Sequence, residues 1–173
     1  MAISLYDISV LSYLQTVTAV SSFLERGLTH CQDNGIDPQS VVETRLFADM
    51  LPFRFQVQSV VHHSIGAIEA IKSGVFRPPS GLPPHTYAEL QALIAGTAEA
   101  LHKLTPEEVN AREGADMVFE IGGKQMPFTT EGFVQSFSLP NFHFHATTAY
   151  DILRAKGAPL GKRDYLGRMR LKK

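Results

Sequence analysis

Apolar residues recur at steps of three and four along much of this 173-residue chain, and this spacing constrains the fold more than any other feature. The clearest run extends from about Leu5 to Cys31 and stops at Asp33, Asn34 and Gly35. Its periodic positions are Leu11, Leu14, Val17, Val20, Leu24 and Leu28. Because a helix with one apolar face must bury that face against another element, the pattern predicts a packed helical domain.

A second helix is predicted to begin at Asp37 and Pro38. Asp accepts hydrogen bonds from the free amide groups at a helix start, and Pro suits the first helical position. The apolar stripe of this helix consists of Leu46, Met50, Phe53, Val57, Val61, Ile65 or Ile68, and Ile71. Pro52 interrupts the stripe and lacks a backbone donor, which predicts either a kink there or two helices in series.

Two further helices have clear start or stop signals. The third begins at Thr86, which forms a capping-box pattern with Glu89, and a short helical turn is predicted over Thr105–Glu108. The last helix is predicted from about Thr130 to Lys156 with a bend near Pro140, and it stops at Gly157. The sequence therefore accounts for four main helices.

The remaining segments connect or flank these helices. Residues 74–84 read GVFRPPSGLPP, which predicts an extended connection, and Met117–Phe128 reads as a two-stranded hairpin that turns at Gly122-Gly123. Such a hairpin is marginal alone, so we expect it to lie on the helices. The basic tail Gly161–Lys173 is expected to cover the surface. The expected fold class is all-α, with one domain over residues 1–173.

The composition argues against several classes of partner and compartment. With 16 Lys and Arg against 17 Asp and Glu, the net charge is -1, so no global field attracts nucleic acid or an anionic membrane. No run approaches the roughly 20 apolar residues that cross a bilayer. The single cysteine, Cys31, cannot form an internal disulfide, and the N-terminus lacks the pattern of a secretory signal. We expect a cytoplasmic protein with no nucleic-acid or membrane partner.

The C-terminal third carries a resemblance to a known family. The stretch LPNFHFHATTAYDILR (Leu139–Arg154), followed by GAPLGKRDYLG up to Gly167, resembles the C-terminal motif of an uncharacterised microbial family of the DinB/YfiT-like superfamily. Weaker similarity in Arg45–Phe53, Gln56–Gln58 and Tyr87–Gln91 extends it over nearly the whole chain. The resemblance implies a DinB-like four-helix bundle with a small β-hairpin before the last helix, often dimeric. Better-known members of that superfamily hold a divalent metal with three histidines, and some transfer thiol cofactors.

The resemblance transfers only part of that metal site. In the metal-binding relatives one histidine comes from the second helix and two come from an H-x-x-x-H pair on the last helix. Here His145 matches the first histidine of the pair, but Ala149 stands at the second position. Substitute ligands for nickel, zinc or iron would come from His62 or His63, His143, Tyr150 and Asp151. On a regular helix His143 and His145 point about 200° apart, so both reach one ion only if the helix is distorted near Pro140.

Histidines and their neighbours are also the candidates for a ligand pocket. The set comprises His145, His143, Tyr150, Thr147, His62 and His63, with Thr148 as a secondary candidate. Adjacent residues on a helix diverge by about 100°, so at most one of His62 and His63 is expected to face a core site. The alternatives are core histidines with satisfied hydrogen bonds and threonines bonded back to a helix carbonyl. The basic run from Gly161 to Tyr165, with Arg154, suggests either an anion-binding edge or a docked tail.

Three functions fit these residues. The first is a metal-free dimer that binds a small molecule in a cleft lined by the histidines and aromatic residues. The second is a divalent-metal enzyme of the DinB type, performing thiol transfer or hydrolysis with His145 and His62 or His63. The third is a purely structural homodimer. We rank the first slightly ahead, and the sequence carries no G-x-S-x-G, phosphate loop or paired-cysteine motif of a familiar enzyme class.

Overall fold

Helices make up most of the structure, a computed structural model that describes residues 3–79, 81 and 83–172. The helices are α1 (Leu5–Ile8), α2 (Val10–Asp33), α3 (Gln39–Val42), α4 (Phe53–His62), α5 (Ile65–Ser73), α6 (Tyr87–His102), α7 (Pro106–Asn110), α8 (Thr130–Phe133), α9 (Leu139–Ala155) and α10 (Lys162–Leu166). The strands are β1 (Val75–Phe76), β2 (Asp116–Ile121) and β3 (Lys124–Thr129), and a π-helical turn, Val134–Ser138, joins α8 to α9. The predicted mainly helical class is confirmed, with a small sheet added.

The core lies between the four longest helices. Helix α2 packs on α6 and α9, and α4 packs on the same two helices. The largest side chains of these helices that are fully buried include Tyr13, Phe23, Phe53 and Phe142. Each such side chain stabilises the fold by about 1.5–3 kcal/mol through removal of its apolar surface from water. None of the described helices is both long and apolar enough to cross a membrane.

The second predicted helix is divided, and part of its predicted stripe is wrong. The Asp37 carboxylate accepts a hydrogen bond from the Gln39 amide at 3.0 Å, but the helix that follows, α3, is only one turn long. The next helix, α4, starts after Pro52, so the prediction of two helices in series is confirmed. Leu46 and Met50 lie in the irregular segment between α3 and α4, and Leu46 is 42% exposed. Without a helix there, the three-and-four spacing no longer directs these side chains to the core.

A second interruption, at His63 and Ser64, separates α4 from α5. Ser64 has φ -114° and ψ -88°, outside the helical region. A buried chain of hydrogen bonds holds this point: the Ser138 hydroxyl donates to the His63 carbonyl at 2.9 Å and lies 2.7 Å from the Tyr13 hydroxyl. Since the Ser138 hydrogen is used, Tyr13 must be the donor in the second bond. The break is thus fixed by side chains from α2 and the π-helical turn.

The sheet contains the predicted hairpin and one strand more. Strands β2 and β3 pair antiparallel, and their turn glycines Gly122 and Gly123 have φ of 54° and 75°, as a tight hairpin turn requires. Strand β1 was not predicted and pairs parallel to β2, with Phe76 opposite Phe119. It lies within the predicted Pro-rich connection, of which Ser80 and Leu82 fall outside the described residues. Two residues are too few to give a periodic sequence signal.

The last helix is distorted at its start and ends where the sequence predicted. The predicted distortion precedes Pro140 and takes the form of the π-helical turn, while Pro140 itself lies in the first turn of α9. The predicted stop is confirmed, because Gly157 has φ 93°, in the left-handed region. The tail that follows forms α10 and docks on α2, where Arg26 pairs with Asp164. Lys173 lies outside the described residues.

Candidate functional site

A pocket of about 320 Å³ lies where the end of α4 meets the sheet, the π-helical turn and α9. Three of its lining residues are histidines, and most of the others are aromatic or proline. The lining consists of Phe55, Ser59, His62, His63, Phe76, Pro78, Pro79, Phe119, Phe137 and His145. We call this site the histidine pocket. It lies within the size range of small-molecule sites, and its walls are mainly apolar, as is usual for them.

The break after α4 brings adjacent histidines to one site. The expectation that only one of His62 and His63 would face a core site is wrong, because both line the histidine pocket. His62 ends α4, and His63 follows it outside the helix, so the 100° divergence of a regular helix does not apply. His145 approaches from α9. The structure therefore brings together three of the four histidines that the sequence offered as metal-ligand candidates, and leaves out His143.

The three imidazole rings form one aromatic cluster. The ring centroids of His63 and His145 are 5.8 Å apart with an interplanar angle of 19°, and those of His62 and His63 are 5.4 Å apart. Phe76 of β1 contacts both histidines of the α4 end, at centroid distances of 4.5 Å to His62 and 5.4 Å to His63. These separations are typical of packed aromatic pairs. The rings thus serve partly as walls of the site.

Burial keeps these imidazoles neutral. Burial, together with a smaller repulsion from neighbouring His62 and His145, lowers the pKa of His63 to about 3, because a second positive charge beside these rings would be repelled. Burial likewise lowers the pKa of His145 to about 4 and that of His62 below its usual value. At neutral pH each ring therefore presents one N–H donor and one nitrogen acceptor.

Two of the ring nitrogens lack a partner within the described part of the chain. His62 Nε2 and His63 Nδ1 are both buried and form no hydrogen bond there. The third histidine is held: His145 Nδ1 lies 2.8 Å from Oε1 of Gln56, a side chain only 2% exposed. Leaving a buried polar group unsatisfied costs about 1–3 kcal/mol, so such groups in a pocket indicate a place for a polar ligand atom.

The donor set does not fit the three-histidine metal site of the DinB superfamily. Ala149, at the position of the second histidine of the H-x-x-x-H pair, is fully buried and carries no ligand atom. Over residues 3–79, 81 and 83–172, no three His, Cys, Asp or Glu side chains are grouped so that they would hold a metal ion. The stacked arrangement of His63 and His145 instead turns ring faces toward each other.

The other candidate residues lie outside the histidine pocket. His143 is exposed, with Nδ1 3.4 Å from the Tyr165 hydroxyl, so it diverges from His145 as expected. Tyr150 packs edge-on against Phe23 and Tyr165. A separate surface groove contains Thr147 and His143; its lining is Leu46, Met50, Pro140, His143, Phe144, Thr147, Thr148 and Asp151. We call it the α9 groove.

Secondary candidates have structural partners. The Thr148 hydroxyl donates to the Phe144 carbonyl at 2.8 Å, the backbone bond expected of a helical threonine. Arg154 donates to the Ala158 carbonyl at 3.0 Å and so helps to close the end of α9. Cys31 is buried, and burial raises the pKa of its thiol, which is unfavourable for a nucleophile. Arg154 and Cys31 do not line the histidine pocket.

Several residues of the site were not identified from the sequence. Gln56 does not line the pocket and appeared in the sequence only within a weakly similar stretch, yet it is the partner of His145, 89 positions away. A buried glutamine on the apolar face of a helix is the one signal that points to it, since such a group needs a partner. Ser59, Phe76, Phe119 and Phe137 carry no comparable signal, because their role depends on how distant segments meet.

Comparison with known proteins places the fold among DinB-like structures. A family model described as "Domain of unknown function (DUF1993)" matches residues 5–166. The crystal structure of a DinB family member protein from Shewanella denitrificans is similar, with a TM-score of 0.81 and 26% sequence identity. The similarity covers 98% of this chain and 95% of that chain. No curated protein matches the sequence.

Proposed function

Because the chain belongs to the DUF1993 family of domains of unknown function, we propose its function from the site itself: it binds a small neutral organic molecule in the histidine pocket. One observation carries this proposal. Between aromatic walls, the buried His62 Nε2 and His63 Nδ1 lack partners within the described residues, and both rings line a volume of about 320 Å³. A molecule with an apolar body and one polar group would fill that volume and satisfy a nitrogen.

Electrostatics favour a neutral ligand. Among the described residues that line the histidine pocket, none is Asp, Glu, Lys or Arg, and burial keeps the imidazoles uncharged at pH 7. A charged ligand would lose its hydration without gaining an opposite charge, which is costly in an apolar site. Within the part of the chain that the structure describes, no three His, Cys, Asp or Glu side chains are grouped so that they would hold an ion, which argues against the metal-dependent alternative.

The test compares probes of one size and different charge. We expect toluene to bind at pH 7.5 at least about tenfold more tightly than benzoate or benzylamine, measured by chemical-shift titration, because desolvating an unpaired charge costs well over 1.4 kcal/mol. Ser59→Met, which fills the pocket, should abolish toluene binding. Ser22→Met, at an exposed position of α2, should not change it. Equal binding of all three probes, or toluene binding that survives Ser59→Met, would count against the proposal. So would stoichiometric nickel, zinc or iron in the purified protein.

We also propose that the helices form a four-helix bundle of the DinB type, with α2, α4, α6 and α9 as its members. The pairwise packing of α2 and α4 on both α6 and α9 supports this arrangement. A cytoplasmic setting is proposed as well, since the one cysteine is a buried thiol with no internal disulfide partner.

A homodimer is proposed to form through the α9 groove. Large apolar side chains are exposed in its lining, where Phe144 is 56% exposed and Leu46 42%, and Phe47, the next residue along the chain from Leu46, is 69% exposed. Clustered exposed apolar residues are typical of contact surfaces between proteins. In sedimentation equilibrium we expect Phe144→Ser to weaken self-association about tenfold, the size of an interface anchor. The control is Met126→Ser, which removes an exposed apolar residue of β3. A wild-type protein that stays monomeric at high micromolar concentration would exclude this dimer.

A further inference from the structure

The tautomer of His145 is fixed by a chain of hydrogen bonds that begins at a backbone carbonyl. Gln56 Nε2 donates to the Leu51 carbonyl at 2.8 Å, and a carbonyl only accepts, so this end of the amide must be the nitrogen. Oε1 of Gln56 therefore faces His145 Nδ1, at 2.8 Å. An amide oxygen also only accepts. Nδ1 of His145 must then carry the hydrogen.

The consequence is a fixed acceptor in the histidine pocket. A neutral imidazole with its hydrogen on Nδ1 has a lone pair on Nε2. The hydrogen bond to Gln56 is the one that the described part of the chain provides for the His145 ring. His145 lines the pocket, so its acceptor nitrogen remains for a ligand.

The two other histidines complement this acceptor. His62 Nε2 and His63 Nδ1 are buried without partners in the described residues. The backbone of Arg77 lies within reach of the His62 ring and acts on its pKa as a hydrogen-bond partner, whereas no such group acts on His63. His63 can therefore present an N–H to an acceptor, and His62 can do so where Arg77 does not take its hydrogen. A hydroxyl group carries one hydrogen to donate and two lone pairs to accept, which matches one acceptor and up to two donors.

We propose that the ligand class of the histidine pocket is a neutral aromatic hydroxyl compound of the phenol type, whose O–H donates to His145 Nε2. Gln56 acts as a positioning residue that holds the required tautomer. The ring of the ligand lies against the aromatic walls, of which Phe55 already meets His145 edge-on at 5.6 Å. The inference rests on the proposed function, because it names the ligand of the same pocket.

Three probes of similar size test the hydroxyl inference and the proposed function separately. Phenol has a donor and an acceptor, anisole has only an acceptor, and toluene has neither. We expect phenol to bind about fivefold to tenfold more tightly than anisole or toluene, the ratio that one added hydrogen bond supplies. If all three bind equally, the hydroxyl inference fails while the proposed function stands. If none binds, both fail.

Variants at Gln56 test the positioning role. Gln56→Leu removes the acceptor for Nδ1–H and should bring phenol to the affinity that toluene has for the same variant. Gln56→Glu loses the N–H that donates to the Leu51 carbonyl and places a carboxylate beside Nδ1. This favours the imidazolium, whose Nε2 carries a hydrogen, so the variant should lose the preference for phenol as well. A Gln56→Leu protein that still prefers phenol overturns the role of Gln56.

Nitrogen-15 spectra of the wild-type imidazoles give an answer that needs no variant. We expect His145 at pH 7.5 to show a protonated Nδ1 and an unprotonated Nε2, with the Nε2 signal moving when phenol is added. The opposite tautomer overturns the inference, even if the Gln56 variants fail to fold.

Discussion

Lowering the pH from 7 to 4 is expected to destabilise the folded protein by roughly 3 kcal/mol through His63 alone. The pKa of His63 in the folded state is about 3, against an ordinary value of 6.5, because burial disfavours the imidazolium. Between these values the unfolded chain binds a proton that the folded protein does not. The stabilisation is therefore fully present above pH 6.5 and is lost as the pH falls toward 3. His145, with a folded pKa of about 4, adds a smaller contribution because it is more exposed and better screened.

The measurement is the free energy of unfolding from urea titrations at several pH values between 7 and 4. His63→Leu keeps a side chain of similar size. Its free energy of unfolding should fall by about 3 kcal/mol less than that of the wild type between pH 7 and 4. The control is His102→Gln, at an exposed position of α6. Helix-capping Asp7 and Glu89 titrate at lower pH, since hydrogen bonds from Ser4 and Thr86 lower their pKa values, and they are common to all three proteins. Identical pH slopes for wild type and His63→Leu would show that the His63 ring is not buried in its neutral form.

Replacing Ser138 by alanine is expected to destabilise the fold by about 2–4 kcal/mol, although only one oxygen atom is lost. The Ser138 hydroxyl accepts from Tyr13 and donates to the His63 carbonyl, and both Ser138 and Tyr13 are fully buried. Its removal leaves two buried polar groups without a partner. The same substitution frees the chain break at His63, so we also expect ligand binding in the histidine pocket to weaken.

A double-mutant cycle separates this network from simple loss of packing. Tyr13→Phe removes one hydroxyl and should cost about 1–2 kcal/mol by itself. In the Tyr13→Phe background, Ser138→Ala should cost less than in the wild type, because Tyr13 no longer has a hydroxyl to leave unsatisfied. Ser136→Ala, on the same π-helical turn but exposed, is the control and should change the free energy of unfolding little. Strict additivity of the two substitutions would contradict the proposed network.

Elements with local signals were predictable from the sequence. The capping box of Thr86 with Glu89, the short helix after Thr105, the Gly122-Gly123 hairpin and the Gly157 stop form as predicted. In each case the residues that define the feature lie within a few positions of one another. The break at His63 and Ser64 has no such signal, because its hydrogen-bond partner is Ser138, 75 positions away.

The site was predictable in its residue types but not in its geometry. His62, His63 and His145 were singled out from the sequence, whereas the spacing rule for a regular helix placed His62 and His63 on different faces. That rule failed where the helix itself ended. The pairing of Gln56 with His145 depends on how α4 packs against α9, which no stretch of sequence contains. His143, Thr147 and Tyr150 remain candidates for other roles, since the structure places them outside the histidine pocket.

The most direct test of the central claim is a crystal structure of the protein grown or soaked with toluene at pH 7.5. We predict electron density for the ring inside the histidine pocket, in contact with Phe76, Phe119 and the imidazole of His63. Toluene density confined to other places, such as the α9 groove beside Phe144, would contradict the claim that the histidine pocket binds a small neutral molecule.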